Sequence, residues 1–205
     1  ESALESELSC KVDYTYRQSV RLNHSATHLL HSALKHVLGE HVQQAGSLVH
    51  TDYLRFDLTH FEKIQQKELI EIEKYVNDRI RNNNKVETIL KAFDEAKKEG
   101  ATALFGEKYG DEVRVVSMGK SSLELCGGTH VQRTGDIGLF KIVEESSLAS
   151  GVRRIIALTG GTAFDFVQNM SEKLNQVQGQ LNCAEDEINE RLEKLFSDKK
   201  NLDRK

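Results

Sequence analysis

No proline occurs among the 205 residues, so nothing in this chain rests on a proline-dependent motif. Cysteine is scarce. Cys10, Cys126 and Cys183 make an odd number in a chain long enough to have its own core, which argues against a disulfide scaffold and for a reducing compartment. No run approaches the roughly 18 apolar residues that span a bilayer. The acidic N-terminus also lacks a signal-peptide pattern, so a cytoplasmic location and no membrane partner are expected. Positive charge is not in excess: the formal net charge of −4 excludes a molecule that is basic as a whole. An RNA partner would need a local patch, for which Arg17 with Arg21, Arg79 with Arg81 and Lys85, and Arg153 with Arg154 are candidates, although scattered surface charge reads equally well. No lysine follows a glycine run in the phosphate-cradle pattern, and no GxSxG elbow is present, which leaves phosphoryl transfer and serine hydrolysis unsupported. Apolar residues reach only 38%, low for one compact globule, and suggest that part of the chain is solvent-exposed helix.

What is present reads as an α+β chain. Val12, Tyr14 and Tyr16 alternate as a short strand would, so residues 1–20 are expected to be the stub of a preceding β-structure. Asn23 or Ser25 then caps a helix to about Leu38, ended by Gly39. Residues 47–50 and 54–58 form a hairpin around Thr51-Asp52. A second amphipathic helix runs from Gln65 to Arg81, with Leu69, Ile72, Val76 and Ile80 on one face. Residues 86–93, 113–118, 122–126, 138–144 and 153–158 read as strands, with a helical turn at 94–99. Such an order suggests a largely antiparallel sheet with packed helices. After a boundary at 159–162, Val167, Met170, Leu174, Val177, Leu181, Ala184 and Ile188 step by threes and fours as a heptad seam. It continues through Leu192, Leu195 and Leu202 after a stutter, and predicts a long helical or coiled-coil segment.

Two short motifs carry the chemistry. In His24-Ser-Ala-Thr-His28, residues four apart on a helix present both imidazoles on one face. In Cys126-Gly-Gly-Thr-His130, Gly127 and Gly128 let the backbone turn sharply so that a thiolate and an imidazole converge. Together they supply three nitrogens and one sulfur, a set that suits Zn²⁺. Either motif alone is more often coincidental or structural, and His31 lies near the same helix face. Within the zinc reading two possibilities stay open. Four protein ligands close a structural tetrahedron, whereas catalytic zinc keeps a position open.

On these residues the chain resembles the editing domain of alanyl-tRNA synthetases. The resemblance is carried by Arg21-Leu-Asn-His-Ser-Ala-Thr-His-Leu-Leu-His31, Gly46-Ser-Leu-Val49, Leu54-Arg-Phe-Asp57 and Ala103-Leu-Phe-Gly-Glu-Lys-Tyr-Gly110. Glu124-Leu-Cys-Gly-Gly-Thr-His130, Thr134-Gly-Asp-Ile-Gly138 and Gly151-Val-Arg-Arg154 follow in the same order. Free-standing alanyl-tRNA editing proteins and the threonyl-tRNA synthetase editing domain share both metal motifs, while the segments between them favour the synthetase. The resemblance implies a zinc-dependent editing domain over residues 21–160, followed at 161–205 by the start of a helical arm, the whole being a piece of a larger enzyme.

The implied activity is hydrolysis of tRNA(Ala) wrongly charged with serine or glycine. An alanine pocket cannot exclude smaller glycine or strongly reject one extra hydroxyl by packing, which is why a second, hydrolytic site is needed. By the same resemblance one zinc ion is held by His24, His28, Cys126 and His130, and Thr27, Gln44 and Ser47 line the pocket, with Gln44 foremost. Zinc then anchors the aminoacyl end or polarises a water, and N–H groups around Gly127 and Gly128 receive the developing oxyanion. Aminoacylation is not expected, because the chain is short and the class II motif it would need relies on a proline. The alternatives are a non-catalytic zinc-stabilised module that binds tRNA or oligomerises, and a free-standing or threonyl-type editor. The heptad tail makes a homodimer through the arm and a seam folded on its own chain equally good expectations.

Overall fold

The structure is a computed structural model that describes residues 9–103 and 109–204. Most of the quoted segment between Ala103 and Gly110 therefore lies outside the described residues. The chain divides into two compact units, one ending at Ala163 and one beginning at Phe164.

The first unit opens with α1, Tyr14–Leu38. The expected strand over residues 12–20 does not form, because Asp13 caps a helix there: its Oδ1 accepts the Tyr16 N–H at 2.7 Å. Tyr14 and Tyr16 are both exposed, so their alternation reflects no sheet face. At the other end Gly39 takes φ +113 and its N–H reaches the Lys35 carbonyl at 3.0 Å. Between these ends Ala26, Leu29, Leu30, Ala33 and Leu34 are fully buried, an apolar stripe at helical spacing.

That stripe lies in the main core with the inward residues of a four-stranded antiparallel sheet and of α2 (Gln66–Arg81). The sheet runs β1-β2-β7-β6, from β1 (Gln44–Val49), β2 (Leu54–Thr59), β6 (Phe140–Ala149) and β7 (Val152–Thr159). Phe56, Ile72, Phe140 and Ile155 are among the largest side chains it encloses. A second antiparallel sheet, β3-β4-β5, comprises β3 (Val86–Ala92), β4 (Glu112–Met118) and β5 (Leu123–Leu125). It has its own small core, where Val113, Val115 and Leu125 meet Ala96 of α3 (Phe93–Lys98). The α+β class with antiparallel pairing is as expected, but the strands form two sheets.

Within three of the quoted segments, one residue each belongs to the framework. Gly46 stands opposite Asp57 on β2, and Asp57 opposite Arg154 on β7. The Arg154 guanidinium grips the Asp57 carboxylate at 2.7 and 3.0 Å, a bidentate cross-strand pair. A Cβ on Gly46 would lie 3.3 Å from Asp57 Oδ2, so the small residue leaves room for that pair. The proposed basic patches are largely engaged within the fold. Arg153 pairs with Glu145, Arg81 with Asp78 and Lys85 with Glu87, and Arg79 lies over the Tyr75 ring.

In the second unit the seam is not one long helix. α4 (Gly160–Leu181) stops where Asn182 takes φ +48, and α5 (Ile188–Leu202) restarts after a 3-10 turn at Glu185–Glu187. Asparagine tolerates this left-handed conformation. Glu187 Oε2 then accepts the Ala184 N–H at 3.1 Å, which caps the restart. The heptad spacing of side chains thus runs across a broken backbone, and a continuous coiled coil through Ala184 is excluded. None of the described helices is long and apolar enough to cross a membrane.

Candidate metal centre

α1 carries His24 and His28 one turn apart, as their spacing requires, with ring centroids 5.3 Å apart. The other pair arrives on the loop that leaves β5. Along β5, Leu123 and Leu125 turn to the small core, so Glu124 between them turns the other way, toward α1. One residue past the strand, the loop brings Cys126 and His130 against the helix. Cys126 Sγ lies 3.4 Å from His24 Nε2 and 3.3 Å from His130 Nε2. One ligand atom from each of His24, His28, Cys126 and His130 lies within 4.8 Å of every other, so the four could hold a single metal ion.

The donor geometry fits such an ion. Bonds of the usual Zn–N and Zn–S lengths in a tetrahedron put nitrogen and sulfur about 3.5 Å apart, close to the two separations just given. The chemistry of His28 points the same way. Its Nδ1 is bound to Glu124 Oε2 at 2.6 Å, while its Nε2 is buried with no hydrogen-bond partner. A carboxylate that fixes the tautomer of an imidazole and leaves the second nitrogen free is the usual support of a metal-binding histidine.

Several contacts hold the loop in place. Gly128 passes so close to His24 that a Cβ there would sit 2.0 Å from the ring Cε1. Neither Gly127 nor Gly128 has a positive φ, and a Cβ on Gly127 would meet nothing within 4 Å. The expectation that both glycines serve a sharp turn is therefore corrected: Gly128 is needed for close approach, and the geometry demands nothing of Gly127. The Gly128 N–H donates to Cys126 Sγ at 3.5 Å, so it faces the sulfur and is not left for an oxyanion. Arg114 on β4 donates to the carbonyls of Cys126, at 2.9 Å, and of Gly128. Ser25, between the two helix histidines, accepts the Val131 N–H at 3.1 Å and lies 3.4 Å from His130 Nδ1.

The donors shift one another's charge states. Burial pushes the Cys126 thiol up, but hydrogen bonding by His130 and His24 together with the nearby His28 charge outweighs it and brings it to about 3. Burial works against a charged His28, yet the Glu124 carboxylate and the Cys126 sulfur raise it to about 10. Glu124 is also disfavoured by burial, but the His28 charge and hydrogen bonds from His28 and His31 hold it well below the usual carboxylate range. His130 is lowered, first by burial and then by the neighbouring histidines.

The expected pocket residues are not part of this cluster. The Thr27 hydroxyl donates to the Asn23 carbonyl at 2.8 Å, within α1. The Gln44 side-chain amide donates to Ser47 Oγ at 3.2 Å on β1. Among the described residues neither Gln44 nor Ser47 shares a hydrogen bond with the four donors. Sequence reasoning missed two residues here, Glu124 and Arg114. Glu124 stood inside a quoted motif without a role, and the one available signal was a carboxylate between two apolar strand residues. Nothing in the sequence marked Arg114.

Residues 113–156 match the family described as the threonyl and alanyl tRNA synthetase second additional domain. The chain is 50% identical over 201 residues to the alanine–tRNA ligase of Pseudoalteromonas translucida, covering 98% of this chain and 23% of that protein. It is 53% identical over 194 residues to that of Saccharophagus degradans, covering 94% and 22%. With that of Myxococcus xanthus it shares 55% over 182 residues, covering 89% and 20%. The chain thus spans between a fifth and a quarter of the length of these relatives.

Proposed function

We propose an editing function for this chain, which corresponds over nearly its whole length to a segment of alanine–tRNA ligases. Residues 21–160 form the hydrolytic domain, acting on tRNA(Ala) that carries serine or glycine, and residues 161–205 begin a helical arm. The observation that carries this reading is the convergence of His24, His28, Cys126 and His130, with the unpartnered His28 Nε2 turned from Glu124. These four residues would hold one Zn²⁺, which supplies Lewis acidity at an ester carbonyl or an attacking water.

The chain's own residues do the rest. Glu124 keeps the His28 Nδ1 proton and so presents Nε2 as a donor. Arg114 holds the carbonyls of Cys126 and Gly128 on its own side. A trans peptide points its N–H opposite its carbonyl, so the N–H groups of Gly127 and Thr129 face away from Arg114, where they can receive a developing oxyanion. Thr27, Gln44 and Ser47 supply hydroxyl and amide groups suited to a serine hydroxyl, and Gln44 is the one on which discrimination against alanine would rest. Protons and water reach a partly exposed cluster, as a hydrolase requires: Cys126 and His130 are both half-buried.

One observation favours a second reading, a zinc site that only organises a tRNA-binding module: the cluster offers four protein donors, as many as a structural zinc would take. Deacylation of seryl-tRNA(Ala), with alanyl-tRNA(Ala) as control and zinc content assayed in parallel, separates the two. Zinc-dependent loss of serine with alanine spared, abolished in Cys126→Ala, is the expected result. Stoichiometric zinc without hydrolysis would establish the organising role, and Cys126→Ala with full activity and full zinc would sink the ligand assignment.

A further inference from the structure

Glu124 serves two imidazoles, and only one belongs to the donor cluster. Its Oε2 meets His28 Nδ1 at 2.6 Å and its Oε1 lies 3.3 Å from His31 Nδ1. Both histidines therefore turn their second nitrogen away from the carboxylate. In both, that Nε2 is buried without a hydrogen-bond partner. For His28 this nitrogen belongs to the cluster. His31, whose side chain is only 4% exposed, lines a separate cavity of about 380 Å³ alongside the C-terminal half of α1. His31 thus forms part of the inner wall, while its Nε2 stays enclosed in the protein.

The other walls indicate what the cavity receives. Lys35 enters from α1, and Lys120 and Ser121 come from the turn between β4 and β5. Neither ammonium group has an ion-pair or hydrogen-bond partner among the described residues. The two carboxylates on the wall are Glu124, already matched by two imidazoles, and Glu40. Two uncommitted cations and a hydroxyl outweigh one free carboxylate, and together they suit a phosphate-type oxyanion. Lys35 stands seven residues beyond His28 on the same helix, about 10 Å along its axis. A strand whose end lies at the donor cluster would bring its backbone to this distance.

We propose that the cavity is a phosphate subsite. Resting on the editing reading above, it takes a backbone phosphate of the tRNA acceptor strand. Lys35 and Lys120 supply the charge, and His31, oriented by Glu124, closes the inner wall.

The test uses the full zinc-loaded chain. Binding of uncharged tRNA(Ala) is followed by fluorescence anisotropy between about 50 and 200 mM salt. Replacing both lysines, Lys35→Gln with Lys120→Gln, is expected to reduce the slope of log affinity against log salt by about 0.7–0.9, the value for one lost phosphate contact. Zinc content should be unchanged, and Lys35→Arg with Lys120→Arg should retain the slope. An unchanged slope and affinity in the glutamine variant overturns the proposal. Inorganic phosphate alone, followed through the His31 imidazole signals by NMR, distinguishes the sources. A saturable shift that tRNA does not compete away overturns the RNA assignment in favour of free phosphate. Because this assay reads binding, it is independent of hydrolysis: the slope change in the glutamine variant, beside a wild-type chain that cleaves no seryl-tRNA, would sink the editing reading and leave the subsite standing.

Discussion

His24 and His28 stand on a helix whose inner face is buried from Asn23 to Leu34, whereas Cys126 and His130 stand on a half-buried loop. The helix arm needs no special contact to set its spacing, since hydrogen bonding between successive turns does that. Its burial is set by Leu29, Leu30 and Leu34 in the main core. The loop arm has no such periodicity. It is placed by individual pins: the Arg114 guanidinium, the Ser25 hydroxyl, and the backbone bond from Cys126 N–H to the Arg114 carbonyl at 3.0 Å. The lesson of the difference is that half of this site is built by secondary structure and half by tertiary contact. Perturbing the two halves should therefore have separable effects.

The largest effect is expected where the arms touch. Gly128→Ala puts a methyl group 2.0 Å from His24 Cε1, so the loop cannot close on the helix without moving one pair of donors. The helix arm and the main core do not depend on that closure. Zinc bound per chain, measured by elemental analysis, is expected to fall well below one while the far-UV circular dichroism keeps its native form. Full zinc occupancy in this variant would show that the loop has freedom its packing does not suggest.

Glu124 tests the helix arm from behind. In Glu124→Gln one amide oxygen remains to accept from two imidazoles, and the amide nitrogen faces a second N–H it cannot accept. The tautomer of His28 is then no longer fixed, and zinc affinity by chelator competition is expected to fall about 10–100-fold. Wild-type affinity would mean that α1 alone orients His28.

How much of this was legible in the sequence follows the same division. The spacing of His24 with His28 and of Cys126 with His130 showed the four donors, because both pairs are local. Glu124 and Arg114 were not legible, since their roles depend on contacts to His28 and to the loop that only the fold creates. Helix α2 and the β1–β2 hairpin were found because their apolar periods and turn residues agree. The helical start at Tyr14 was not found, because three alternating residues carry no information once they face solvent. At Asn182 the heptad spacing described side chains correctly and the backbone wrongly, since a single left-handed residue interrupts a helix without disturbing the apolar count. Resemblance ranked Gly46, Asp57 and Arg154 alongside the donors, yet these three form a cross-strand row that supports the sheet. Shared motifs do not separate framework from chemistry; contacts do.

Arg114 offers the finest test of the loop arm, because it touches no donor side chain. Arg114→Met keeps the aliphatic stem and removes the guanidinium that spans the Cys126 and Gly128 carbonyls. The ligand side chains and the Ser25 pin remain, so zinc affinity is expected to fall by less than about tenfold, below the effect at Glu124. The Cys126–Gly127 and Gly128–Thr129 peptide planes lose their fixed orientation, and this should appear in two readouts that general destabilisation does not produce. The visible absorption bands of the cobalt-substituted protein should shift, since they report ligand geometry. Deacylation should lose kcat with KM little changed, because an oxyanion site acts only in the transition state. Unchanged cobalt bands together with unchanged kcat would mean that Ser25 and the backbone bonds suffice to place the loop, and the two arms would then differ less than their contacts imply.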